Sequence, residues 1–207
     1  MTARPVLTVE RLAVHRGGRR ILDGVAVAAA PGEVVAVVGP NGCGKSTLLA
    51  CVAGVIPPRD GAVVVGDHAV WGADGARARA AIGYVPEAAD PPGYLTGAEL
   101  WALVRATRGA GALDPVVHAA FGLDDVAHVR LERMSLGMRR RACLGAAWLG
   151  PPALLVLDEP DNGLDAARLA ALVDQVVAHA AAGRAVVVAT HDPAVIDRIG
   201  ARRFALG

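Results

Sequence analysis

The stretch GPNGCGKST at 39–47 fits the spacing G-x-x-x-x-G-K-[ST], and each residue type in it suits the holding of a polyphosphate. Gly42 and Gly44 let the backbone wrap a phosphate at close range. Exposed loop amides and a helix N-terminus attract its oxygens. Lys45 places a compact cation on the β- and γ-phosphates, and the Ser46 hydroxyl suits a Mg2+ ligand. Gly39, Asn41 and Thr47 complete the cradle. Cys43 reads as an incidental member, the alternative being a thiol whose oxidation or alkylation blocks nucleotide.

Two further segments carry groups that such a site needs. LLVLDEP sets Asp158 at the end of an apolar run, followed by Glu159. Asp158 can reach the cation directly or through water, and Glu159 can polarise the water that attacks the γ-phosphorus. VVVATHD ends another apolar run with His191, a candidate sensor that hydrogen-bonds the γ-phosphate or the Glu159 assembly. Taken singly these would be a Gly-rich turn, a solvated acidic pair and a structural histidine. The elements around them argue for the sharper readings.

EVVAVVG (33–39) reads as a strand buried on both faces, with a helix opening at Lys45 and stopping at Gly54. The runs at 152–160 and 185–192 read as buried strands of the same kind, placing Asp158, Glu159 and His191 at carboxyl ends, where parallel sheets bind ligands. Between those two runs, Leu169, Leu172, Val173, Val176, Val177 and Ala180 recur at helical intervals up to Gly183. Segments 6–14 and ILDGVAVAAAPGE predict antiparallel strands around a basic Gly-Gly turn, 61–66 and 81–86 predict short strands, and RRFALG is strand-like. Residues 88–150 turn to Ala/Leu-rich helical patterns, in which Leu95, Leu100 and Trp101 read as core. The sum is a doubly wound parallel sheet with a helical insertion.

The 207 residues suffice for one domain with a substantial interior, and 54% apolar against 3% aromatic content describes a core of Ala and Val. A net charge of +1 gives no electrostatic case for nucleic acid. Cys43, Cys51 and Cys143 have neither a disulfide framework nor metal spacing, which fits a reducing compartment. The N-terminus is charged where a signal peptide needs an apolar core. Gly150-Pro151-Pro152 breaks the most apolar run, 142–157, short of the roughly 20 residues a membrane span needs. His15, His68, His118, His128 and His179 read as surface or packing residues.

The chain resembles the nucleotide-binding subunit of ABC transporters over nearly its whole length. The motifs stand in the family's order: phosphate loop at 39–47, YVPE (84–87) at the Q-loop, MSLGM at the signature, 154–159, NGLD (162–165) at the D-loop, and His191. The resemblance implies a P-loop NTPase: an α/β fold with a RecA-like parallel sheet core, an antiparallel β subdomain and an inserted helical subdomain. It implies one domain over 1–207, with core and β subdomain at about 1–87 and 146–207 and the helical subdomain at about 88–145. It implies ATP and Mg2+, with Ser46, Glu87 and Asp158 toward the metal and Glu159 and His191 as catalytic residues. Ser135, Gly137 and Met138 would face the nucleotide of a head-to-tail partner, a second copy or a paralogue, near Asp165 of the D-loop. A membrane permease subunit is implied as partner, with the chain cytoplasmic on the inner face of the membrane.

The sequence departs from the family in four places. Leu136 and Met138 replace a glycine and a glutamine of the signature, and Glu87 stands where the Q-loop has glutamine. Where the family stacks an aromatic residue on adenine, this chain offers Arg16, or His15, and an arginine plane can stack on a base. With LTGAEL at 95–100, these variants resemble ABC-2-type and haem-exporter-like subunits. Arg139, Arg140 and Arg141 are expected on a solvated or phosphate-adjacent helix face. Other readings are a soluble ABC-type ATPase acting on nucleic acid or ribosomes, a P-loop kinase or GTPase, and a non-hydrolysing regulatory subunit.

Overall fold

In chain order the strands are β1 (Leu7–Arg16), β2 (Arg19–Ala29), β3 (Val34–Val38), β4 (Asp60–Val65), β5 (His68–Ala69), β6 (Ile82–Val85), β7 (Leu154–Asp158), β8 (Ala185–Ala189) and β9 (Arg202–Ala205). The helices are α1 (Lys45–Val52), α2 (Gly75–Ala80), α3 (Gly97–Arg108), α4 (Pro115–Phe121), α5 (Asp124–Ala127), α6 (Leu136–Ala147), α7 (Ala166–Ala181) and α8 (Pro193–Arg198). This computed structural model describes residues 4–88 and 91–207; residues 1–3, and residues 89–90 within the expected helical insertion, lie outside the described residues.

Five strands form a wholly parallel sheet in the order β6-β7-β8-β3-β9. β7 and β8 are buried at every position. Strand periodicity sends Leu155 and Leu157 to one face and Leu154 and Val156 to the other. One face packs against α6 and α7 through Leu144, Leu172 and Val176. The other packs against α1, through Leu48 and Leu49, and against the antiparallel sheet, through Leu7, Val9 and Leu12. Because both faces are covered, these strands read in the sequence as unbroken apolar runs rather than alternating ones.

The antiparallel sheet, order β2-β1-β4-β5, folds over the Gly17-Gly18 turn, with Leu7 opposite Ala29 and Arg16 opposite Arg19. β5 and α2 were not legible as elements, one being two residues long and the other a polar GARARA turn. Helix α3 opens on a capping box, in which Thr96 Oγ1 accepts from the Glu99 amide and Glu99 Oε2 accepts from the Thr96 amide at 2.8 Å. The apolar stripe of α7 buries Leu172, Val173, Val176 and Ala180. Val177, expected in that stripe, is 43% exposed, because it lies at the edge of the arc that the sheet covers. Among the described residues, no helix is long and apolar enough to cross a membrane.

Candidate functional site

All five strands of the central sheet run the same way, so the segments leaving the carboxyl ends of β6, β7, β8 and β3 emerge on one edge. The order β6-β7-β8-β3 thereby sets Glu87, the Asp158–Glu159 pair, His191 and the loop 39–47 side by side. A cavity of about 370 Å³ opens there, lined by Arg16, Ile21, Asn41, Gly42, Gly44, Lys45, Ser46, Thr47, Glu87, Glu159 and His191.

The loop is built around backbone that only glycine takes easily. Gly44 precedes α1 at φ 106, and a Cβ there would stand 2.7 Å from Leu22 Cδ2. Lys45, only 9% exposed, donates from Nζ to the Gly39 and Pro40 carbonyls at 2.9 and 3.2 Å. These bonds hold its cation over the loop, where a phosphate would lie. Gly39 therefore serves through its carbonyl. Cys43 turns its side chain toward the core beneath the antiparallel sheet, so it does not line the cavity.

Ser46 Oγ lies 3.4 Å from Glu87 Oε2. Asp158, 2% exposed, ends β7 close to the Ser46 hydroxyl. Burial raises the Asp158 carboxyl above the usual carboxylate range against the lowering effect of the nearby Ser46 hydroxyl, and the nearby Glu87 charge raises it further. Three oxygen groups so placed form a hard donor set, the kind that Mg2+ takes.

Glu159 is 5% exposed, and its backbone takes φ 46, a left-handed conformation costly for a side-chain residue. Its amide donates to the Ala189 carbonyl at 2.8 Å, tying the end of β7 to β8. His191 Nε2 lies 3.2 Å from Glu159 Oε1 but makes no hydrogen bond to it, so that buried oxygen has no donor among the described residues. Burial raises the Glu159 carboxyl, and the His191 charge works against the rise. A carboxylate raised in this way is better matched to taking a proton from water near neutral pH.

The other expected residues gather elsewhere. Ser135 caps α6, its Oγ accepting from the Met138 amide at 3.2 Å, and Asp165 caps α7, accepting from the Arg168 amide at 2.8 Å. The two caps meet at Gly137, where a Cβ would stand 2.4 Å from the Gly163 carbonyl oxygen. Ser135, Gly137, Met138 and Asp165 line a second cavity of about 370 Å³ with Leu136, Arg141, Gly163, Leu164 and Arg168. Leu136 is 64% exposed, whereas Met138 also packs against the core. The two cavities share no lining residue.

The three arginines after the signature do not form a solvated face. Arg140 is 4% exposed and donates from Nη1 to the Pro86 carbonyl at 2.9 Å and from Nη2 to the Glu87 carbonyl at 2.8 Å. Arg141 reaches the Gly122 carbonyl at 2.9 Å and Asp125 at 3.2 Å, and Arg139 is half-buried. Successive helical residues point about 100° apart, so a run of three cannot share one face. That geometry was the available signal for Arg140. Ile21 and Arg168 are cavity residues with no motif to announce them. Of the five histidines outside the site, His179 is a packing residue, its pKa pushed down to about 4 by burial and its ring edge-on to Trp148.

Residues 22–162 match the ABC transporter family. The chain is 39% identical over 199 residues to a protein of Streptomyces avermitilis described as an ABC transporter ATP-binding protein, covering 92% of this chain and 34% of that one. It is 36% identical over 196 residues to a zinc import ATP-binding protein of Cereibacter sphaeroides, covering 92% of this chain and 74% of the relative. Thus it spans about a third of the Streptomyces relative's length. A solved ATP-binding subunit of an ABC transporter superposes with a TM-score of 0.88 at 28% identity, over 97% of this chain and 85% of that one. The chain belongs to the ABC transporter family, as an ATP-binding P-loop ATPase domain of a family that binds ATP with Mg2+.

Proposed function

We propose that this chain, as the ATPase of an ABC transporter, works as one of two subunits that close head to tail around ATP and drive export through a separate membrane subunit. The observation that carries the reading is the pair of cavities. Lys45, Glu159 and His191 surround one, Ser135 and Asp165 the other, and they share no residue. Each is half of a site that a second copy, or a paralogue, would complete. Lys45 neutralises the terminal phosphates, Glu159 takes the proton of the attacking water, and His191 orients Glu159 and the γ-phosphate. Ser46, Glu87 and Asp158 would hold Mg2+, whose bound charge would offset the phosphate oxygens.

Residues 88–145 are read as the helical subdomain that meets the membrane subunit, where Tyr94 and Leu103 are exposed at 69% and 48%. That contact would hold the chain on the inner face of the cell membrane. Export rests on Glu87, Leu136, Met138 and LTGAEL, the variants that resemble ABC-2-type and haem-exporter-like subunits. Import is a second reading, favoured by the likeness to the zinc import protein.

The test is to recover the chain from its native membranes in mild detergent and assay the eluate for ATP turnover. A stoichiometric multi-span partner, with turnover lost in Glu159→Gln, is the expected result. Recovery of active chain with no membrane partner would overturn it in favour of a soluble or regulatory ATPase switch.

A further inference from the structure

The side chain of Arg140 lines neither cavity, yet it is more deeply buried than most of its neighbours on α6 that could reach solvent. Its two terminal nitrogens donate to the carbonyls of successive residues, Pro86 at 2.9 Å and Glu87 at 2.8 Å. A guanidinium is a planar fork with fixed donor directions, so two bonds to adjacent peptide units fix both the position and the tilt of that backbone. Among the described residues, no carboxylate pairs with it directly. Among the described residues its side-chain partners are backbone carbonyls, and what they belong to is the segment leaving β6.

That segment carries Glu87, whose Oε2 lies 3.4 Å from Ser46 Oγ. Glu87 is exposed, and its carboxylate has no other hydrogen-bond partner among the described residues to hold it in place. A glutamate on a loop has ample rotamer freedom, and a metal ligand must be presented with that freedom already removed. Pro86 limits the segment on one side, and the Arg140 fork fixes the peptides on either side of Glu87, through the Pro86 and Glu87 carbonyls.

We propose that Arg140 is a positioning residue: by clamping the Pro86 and Glu87 carbonyls it holds the Glu87 carboxylate over Ser46 as a divalent-cation ligand. This rests on the reading above of Ser46, Glu87 and Asp158 as the metal site. The fork does the work rather than the charge, because a cation by itself would repel the metal.

The experiment measures Mn2+ binding by electron paramagnetic resonance, with the full chain bound to the non-hydrolysable analogue AMP-PNP. Arg140→Lys keeps the charge and loses the fork; Arg140→Met loses both and preserves the packing volume. Both should weaken Mn2+ binding by roughly 10- to 100-fold, the range for loss of a group that orients a metal ligand. Both should leave metal-free AMP-PNP binding unchanged. In an Glu87→Ala background, neither should weaken Mn2+ binding further. Unaltered Mn2+ affinity in Arg140→Lys, tighter binding in Arg140→Met, or an equal loss with Glu87 absent would overturn the proposal. If the parent chain binds AMP-PNP but no Mn2+, the metal-site reading itself fails, which separates the two.

Discussion

His191 Nε2, beyond the end of β8, stands 3.2 Å from Glu159 Oε1, beyond the end of β7. The two strands are hydrogen-bonded neighbours, and the Glu159 amide is tied to the Ala189 carbonyl, two residues before His191. The sheet itself thus sets the spacing of the pair proposed to act on the attacking water. Glu159 has its carboxylate in a buried place and one oxygen without a donor among the described residues, a group held ready for a proton.

Glu159→Gln should lower ATP turnover by about 10²–10⁴-fold, the range for a general base, while ATP binding persists. His191→Ala should lower turnover by about 10²-fold, as for loss of one hydrogen-bonding group that faces the developing charge. The double variant should lose much less than the product of the two single losses, since part of what His191 does is done through Glu159. Steady-state turnover of the three variants checks this, and additive losses would separate the two residues.

Burial, partly offset by His191, holds the Glu159 carboxyl above the usual carboxylate range. The folded chain then keeps this proton at pH values where the unfolded chain has lost it, so stability falls as pH rises through the folded pKa. Glu159→Gln should therefore melt above the parent chain near neutral pH, and the gap should close below the ordinary carboxylate range. Turnover has the opposite sign, rising with pH through the same titration because the base must be unprotonated. Melting curves and turnover across pH should move in opposite directions.

Gly44→Ala meets both a left-handed backbone at φ 106 and Leu22 Cδ2 at 2.7 Å. The strain should cost about 1–3 kcal/mol, which at this chain length lowers Tm by roughly 2–4 °C per kcal/mol. ATP affinity should fall with it, because Leu22 is packed in the core and relief comes by moving the loop, which lines the cavity. Calorimetry with and without nucleotide tests the pairing of these effects.

Arg16 lines the cavity from the tip of the antiparallel sheet. If its guanidinium stacks on the base, Arg16→Ala should weaken ATP and GTP alike, by about two- to fivefold for an exposed stacking contact of 0.5–1 kcal/mol. Competition binding of the two nucleotides reads this directly. A loss confined to one of them would mean base-edge hydrogen bonding instead.

The sequence made most of this site legible because its parts are bound to local rules. Gly44-Lys45-Ser46 must join a strand to a helix, and Asp158 and His191 must follow apolar runs, so pattern alone places them. The pairing of Ser135 with Asp165 was visible only as family order, since the caps meet through Gly137 and Gly163, a contact between distant segments. Of the two places expected for the arginine run, solvent is ruled out for Arg140, because tertiary hydrogen bonds to Pro86 and Glu87 rather than composition decide its place. β5 and α2 were missed because neither is long enough to display a period.

The central claim is that two half-sites complete each other between chains, and complementation tests it most directly. Lys45→Ala removes the phosphate cation from one cavity, and Ser135→Arg blocks the other. Each variant alone should be inactive. Mixed together, one chain supplies an intact phosphate cavity and the other an intact Ser135 surface, so the account predicts that ATP turnover returns in the mixture. A mixture no more active than either variant, with both folded and Ser135→Arg still binding ATP, would contradict it.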